Sequence, residues 1–212
     1  GISLNAASTI NVNTGTLNYG GIITDGAGSF ALTKAGTGTL ILAGANTYDG
    51  GTNINAGILQ VNSSGALGSS GTISFGGGTL QYTAKNTTNY SARFSTAASQ
   101  AYKIDTNGQN VTFASGLSSS GGTLTKLGAG VLTLTGANTY TGTTTINGGT
   151  LWVGAGGAIA NNANAGITVN DGGTLSFGRQ DVFGVHTVSV LTPITINAGG
   201  TMTNSGTFFN RL

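Results

Sequence analysis

The sequence predicts an all-β chain wound into a single-stranded parallel β-helix, a solenoid of about ten coils, and three observations predict it. Short strands alternate aliphatic and polar residues, a Gly-x-Leu-x-aliphatic (or aromatic) strand returns at intervals of about 20 residues, and residues 32–61 recur without a gap as residues 124–153. In that pair 19 of 30 positions are identical, among them Lys34 and Lys126, the blocks 44–48 and 136–140, and Ile54-Asn55 with Ile146-Asn147.

The recurring strand begins at Gly15, Gly38, Gly57 and Gly78, then at Gly130, Gly149, Gly173 and Gly200. Alternation in Leu40-Ile41-Leu42, Leu59-Gln60-Val61, Ile167-Thr168-Val169 and Ile194-Thr195-Ile196 puts one face of each strand inward. Gly, Asn and Asp at the strand boundaries supply bends, and no sustained helical pattern is found. Equivalent strands one coil apart predict parallel sheets about 4.8 Å apart along the axis and a rod roughly 50 Å long. Like residues then stack: Thr outside the strands, Asn amides at bends, aliphatics in the core. Tyr48 and Tyr140 are expected to pack at a corner.

The composition fits a repeat. Charged residues make up 6% of the chain, against about 25% in typical domains. The 39 glycines and single proline would indicate disorder without the period, but with it they mark turns. A net charge of +2 with no basic run gives no footprint for nucleic acid. Lys85, Arg93, Lys103 and Lys126 are separated by neutral residues and read as isolated, solvated charges. With no cysteine, disulfides and thiolate metal sites are excluded. No stretch approaches the roughly 20 apolar residues of a transmembrane segment. Gly1-Ile2-Ser3-Leu4 does not read as a cleavable signal, so an exported parent would carry its signal upstream.

The expected organisation is one β-helix segment over 1–212, part of something larger, with a polar insertion at 83–100 and a second at 179–193. The second carries His186 and the series Val182, Val185, Val188 and Val190. Insertions in solenoids project from one face and often hold what is specific to a protein, so a ligand would be sought there.

The twice-occurring pattern Leu-Thr-Lys-x-Gly-x-Gly-x-Leu-x-Leu-x-Gly-Ala-Asn-Thr-Tyr-x-Gly-x-Thr-x-Ile-Asn-x-Gly-x-Leu-x-Val resembles the autotransporter-associated β-strand repeat, also called the passenger-associated transport repeat. The resemblance implies a right-handed β-helical passenger, exported through the outer membrane by a C-terminal translocator barrel and displayed or released outside the cell. It also implies a scaffold that aids export, with no catalytic residue to carry over.

Chemistry is sparsely supplied. No catalytic, cofactor or metal residue is assigned. Asp25, Asp49, Asp105, Asp171 and Asp181 are scattered, and turn geometry accounts for Asp49 and Asp171. A glycosidase needs two facing carboxylates about 5 to 9.5 Å apart, and the Gly-Gly-x-Gly-x-Asp calcium repeat is absent. Asp181, His186 and Ser189 are close in sequence, but no nucleophile-elbow signature surrounds Ser189.

The leading functional reading is therefore an extracellular stalk that supports adhesion or export of the passenger. Its partners would be a host-surface glycan or protein, or neighbouring cells. Trp152, Tyr90, Arg93 and His186 are the candidate ligand surface. Trp152 replaces Gln60 of the first copy and alternates outward from Leu151 and Val153, where it either stacks on sugar or packs under a loop. The alternatives are a carbohydrate-active passenger, polysaccharide-cleaving or glycan-binding, with a groove built from the two insertions; an ice- or mineral-ordering surface of aligned Thr; and a plain spacer.

Overall fold

The computed structural model describes residues 1–154, 157, 159, 165–178 and 193–204. Among them lie short strands and a single 3-10 turn, Ser91–Arg93. The longest sheet has nine strands: Thr16–Tyr19, Thr39–Leu42, Ile58–Val61, Thr79–Gln81, Ala101–Asp105, Thr123–Leu127, Thr144–Ile146, Ile167–Val169 and Ile194–Ile196. Each pairs in parallel with the strand one coil earlier and one coil later. This is the parallel β-solenoid expected from the periodicity.

It has about eight turns rather than the expected ten, because the coils are longer than a strict 20-residue repeat. Register partners Leu17 and Leu40 are 23 residues apart, Leu80 and Ile104 are 24 apart, and Thr168 and Thr195 are 27 apart.

Each coil has three sides, and the two beside the long sheet pair as strands over different lengths of the axis. The side that precedes the long-sheet strand is, in the first half, a four-stranded sheet of Ser8–Asn11, Leu32–Ala35, Thr52–Ile54 and Ile73–Phe75. The side that follows it is, in the second half, a five-stranded sheet of Val111–Phe113, Val131–Leu134, Gly149–Val153, Gly173–Phe177 and Thr201–Asn204. The two copies of the duplicated motif are consequently out of phase. Leu32–Ala35 belongs to the four-stranded sheet, but its counterpart in Thr123–Leu127 lies in the long sheet. Likewise Thr39–Leu42 lies in the long sheet, and its counterpart Val131–Leu134 lies in the five-stranded one.

The shift occurs across residues 83–100. Thr79–Gln81 receives Ala101–Asp105 as its neighbour, which in turn receives Thr123–Leu127. One inward column therefore runs Leu40, Leu59, Leu80, Ile104, Lys126, Ile146. Within 83–100, Phe94 bridges in parallel onto Ile73, and Tyr90, Ser91, Phe94 and Gln100 are buried. The Phe94 ring meets Phe75 at 5.0 Å and Phe113 at 5.1 Å, both edge-on, and stacks on Tyr102 at 6.2 Å. This segment is thus packed into the stack as part of a coil.

The core follows from the period-two pattern. Leu32, Leu40, Leu42, Leu59, Val61, Leu132, Leu134, Leu151 and Val153 are fully buried. Tyr48 and Tyr140 fill corners as expected, each hydroxyl meeting a threonine Oγ1 four residues on, Thr52 at 2.8 Å and Thr144 at 2.5 Å. Burial pushes the Tyr48 phenol up to about 12.

Asn46 joins three coils: its Oδ1 accepts from the Ile23 N–H at 2.8 Å, and its Nδ2 donates to the Ala66 carbonyl at 2.7 Å. Asn138 repeats the first bond with the Leu117 N–H at 2.9 Å. Replacing Asn46 with alanine strands a buried donor and a buried acceptor on different coils, so urea denaturation should show a loss of about 2–3 kcal/mol.

Polar ladders line the outside. Gln60, Gln81 and Asp105 are linked in sequence, as are Asn147, Asn170 and Asn197. Asn53 sits between Thr33 and Ser74 in the same manner.

Candidate functional surface

The repeat's lysines are not solvated charges. Lys34 and Lys126 are both fully buried, which corrects the sequence expectation for Lys126. The reason lies in the alternation itself: Lys126 is two residues beyond Leu124, and a period of two places both on the inward face. Each ammonium is held in a cage of three backbone carbonyls. Lys34 Nζ donates to Ala35 at 2.7 Å, Gly36 at 2.7 Å and Ala56 at 3.1 Å. Lys126 Nζ donates to Leu127 at 2.9 Å, Gly128 at 2.7 Å and Gly148 at 3.0 Å.

An ammonium has three N–H donors, and the cage uses all of them. Two acceptors come from the lysine's own coil and the third from the next, so the group ties a corner to its neighbour. The space is tight: a Cβ at Gly149, whose φ is +61°, would sit 2.9 Å from Lys126 Nζ. Burial lowers the Lys126 ammonium to about 8, with nearby Asp105 acting in the opposite sense. Burial also lowers Lys34.

Two further cations are used in this way. Arg93 spreads its guanidinium over the carbonyls of Leu67, Gly68, Ser70 and Gly71 and lies 6.0 Å from the Tyr90 ring centroid. Lys103 Nζ donates to the Gly77 carbonyl at 2.9 Å. In a chain so poor in acids, the cations find their partners in backbone oxygen. The Asp25 carboxylate does the converse: its Oδ2 accepts from the N–H groups of Asp49 at 3.0 Å and Phe30 at 3.1 Å, which hold it below the ordinary carboxylate range.

Of the candidate ligand residues, Tyr90 is buried, its ring 6.4 Å from that of Tyr82 and its hydroxyl bonded to Asn86 and the Ser64 carbonyl. Arg93 is half-buried and occupied by carbonyls. Both hold 83–100 onto the coils beneath. His186 lies outside the described residues, with Asp181, Ser189 and most of the 179–193 segment.

Trp152 is placed as the alternation requires: Leu151 and Val153 are fully buried, and the indole is half-buried on the outer face of the five-stranded sheet. Its register neighbours are Thr133 on one side and Ser176 on the other. Among the described residues no three His, Cys, Asp or Glu side chains gather to hold a metal ion, and no helix is long and apolar enough to cross a membrane.

The side chains shared by the two copies are largely internal. Leu32, Lys34, Leu40, Leu42, Asn46, Tyr48, Thr52, Ile54, Leu59 and Val61 are all buried. A repeat that keeps its inward face and varies its outward one is a stacking module, and the chain built from it is a scaffold.

Comparison with known proteins agrees. The chain matches the family described as passenger-associated-transport-repeat over residues 32–61 and 124–153. It is 38% identical over 168 residues to the Adhesin BmaC autotransporter of Brucella suis biovar 1 (strain 1330), covering 76% of this chain and 5% of that relative. The chain therefore spans a small fraction of the length of the curated relative it matches. No solved structure matches it. The chain thus carries two passenger-associated transport repeats of the kind found in autotransporter passengers, whose place is outside the cell or at the bacterial surface.

Proposed function

We propose that this chain is a length of the rigid shaft of an adhesive passenger, a non-catalytic scaffold that holds many weak polar contacts in fixed array. In the parent protein it would be exported and anchored by a C-terminal translocator barrel. The likeness to an adhesin over 76% of the chain carries this reading. The outer faces support it: they present Thr, Ser, Asn and Gln in columns about 4.8 Å apart, and repeated weak contacts at fixed spacing gain strength by multivalency. Host-surface glycans or proteins, or neighbouring cells, are the partners such faces suit.

The buried character of the shared motif favours a second role for the same residues. The repeat stacks coils, and stacking favours folding of the passenger as it emerges.

Beads coated with the purified chain test the adhesive reading. They should adhere to epithelial monolayers or to bacterial cells, and soluble chain should compete saturably. Adherence no greater than that of beads coated with an unrelated β-solenoid would leave only the scaffold role.

A further inference from the structure

The five-stranded sheet exists only in the second half of the solenoid, where its outer face contrasts with that of the long sheet, which carries Lys103 and Asp105. None of its strands, Val111–Phe113, Val131–Leu134, Gly149–Val153, Gly173–Phe177 or Thr201–Asn204, contains a charged residue. Two outward columns run across it in register. One is Thr112, Thr133, Trp152, Ser176 and Thr203, and the other is Val131, Thr150, Thr174 and Thr201. Neighbouring hydroxyls are therefore about 4.8 Å apart along the axis and roughly 6.7 Å apart along a strand.

The indole of Trp152 interrupts the hydroxyl pattern and is positioned by two glycines. A Cβ at Gly154 would fall 2.6 Å from Cζ3 of the ring, and one at Gly178 would fall 2.6 Å from Cζ2. The ring thus lies across bare backbone on two successive coils. In the first copy the same sequence position is Gln60, whose amide is spent on Gln81 in the long sheet. Because the phase shift moves this position onto another wall, Trp152 has hydroxyls beside it rather than an amide ladder.

We propose that Trp152 and the hydroxyls around it, Thr133, Thr150, Thr174 and Ser176, form a binding platform for a neutral hexopyranose polysaccharide. This rests on the adhesive reading and names its ligand class. The chemistry is complementary. A pyranose presents an apolar C–H face that stacks on an aromatic ring, ringed by hydroxyls that exchange hydrogen bonds with Thr and Ser. A wall without charge offers an anionic glycan no counterion and asks no neutral one to desolvate an ion. Repetition of the hydroxyl columns along the axis suits a polymer better than a single sugar.

Trp152 is the only tryptophan, so its emission reports this position alone. The experiment titrates the whole chain with laminarin, yeast mannan, xyloglucan and a galactan, with heparin as the charged control. It follows Trp152 emission and its quenching by acrylamide. At least one neutral glycan should give a saturable change in emission and protect the ring from acrylamide, and heparin should give neither. On that glycan immobilised, Trp152→Ala should be retained about tenfold less well, while Trp152→Phe, which keeps a ring, should recover part of the affinity.

The proposal is overturned if acrylamide fails to reach the ring in the free chain, if heparin alone produces the change, or if Trp152→Ala with native circular dichroism binds as well as the parent. It also falls if no neutral glycan alters the emission. Should the coated beads still adhere in that case, adhesion stands and uses another surface; if they do not, both readings fall.

Discussion

Replacing Lys126 with methionine is expected to lower stability by about 2–4 kcal/mol at pH 7, because three carbonyl groups inside a corner lose their donors while the methylene packing is kept. The same change at Lys34 should act similarly, since its cage is built from the same positions of the repeat. A surface lysine such as Lys85, which is exposed, should tolerate methionine within about 0.5 kcal/mol. The measurement is urea denaturation of the three variants beside the parent.

A pH dependence accompanies the loss at Lys126, and its sign follows from burial. The folded value near 8 lies below the ordinary lysine value of 10.5. Below about 8 the amine is charged in both folded and unfolded chains, and the desolvation cost is carried in full. Between the two values the unfolded chain keeps a proton that the folded chain has released, so stability rises with pH through that window. The margin of the parent over Lys126→Met should therefore widen by about 1–3 kcal/mol between pH 7.5 and pH 10. A margin that narrows instead would mean that the carbonyl cage favours the ammonium more than burial disfavours it.

These lysines show where sequence reading succeeds and where it stops. Alternation is local, and it correctly set Leu151 and Val153 inside and Trp152 outside. Lys126 obeys the same rule and lies inside. The expectation of solvated charge came from the spacing of the basic residues among neutral ones, and the three carbonyls that make this case an exception come together only on folding. Those carbonyls come from bends, at Gly128 and Gly148 among others, whose convergence is set by coil stacking. A lysine at an inward position beside paired glycines, repeated in both copies, is the pattern that would have found it.

The wall on which a strand lies was equally hidden. Period two tells inside from outside but does not distinguish one inward-facing wall from another. Residues 32–61 and 124–153 align without a gap, yet they occupy different sheets, because the chain between them does not make a whole number of coils. Polar composition at 83–100 suggested a projecting loop. The structure instead buries Tyr90, Phe94 and Gln100 and uses Arg93 to bind the carbonyls beneath. Spaced singly among Thr, Asn and Ala, those anchors gave no alternating run to read.

Phe94→Ala is the second large effect expected, at about 3–5 kcal/mol, because the ring is buried against Phe75, Tyr102 and Phe113 at the point where the phase changes. The consequence goes beyond the lost contacts. A solenoid is stabilised by each coil's interface with the next, so weakening one interface loosens the coupling between the stacks on either side. Trp152 lies wholly in the later stack and reports that stack alone, whereas far-ultraviolet circular dichroism reports both. In the parent the two probes should give coincident urea transitions. In Phe94→Ala they should separate, with the downstream coils unfolding at a different denaturant concentration from the whole. Coincident transitions shifted together to lower urea would show that continuous pairing through Thr79–Gln81, Ala101–Asp105 and Thr123–Leu127 is enough to keep the rod one cooperative unit. Removing residues 83–100 altogether should do more than either. Without that segment the column from Ile73 has no Phe94 to continue it, and the strands that follow lose their place on the coil.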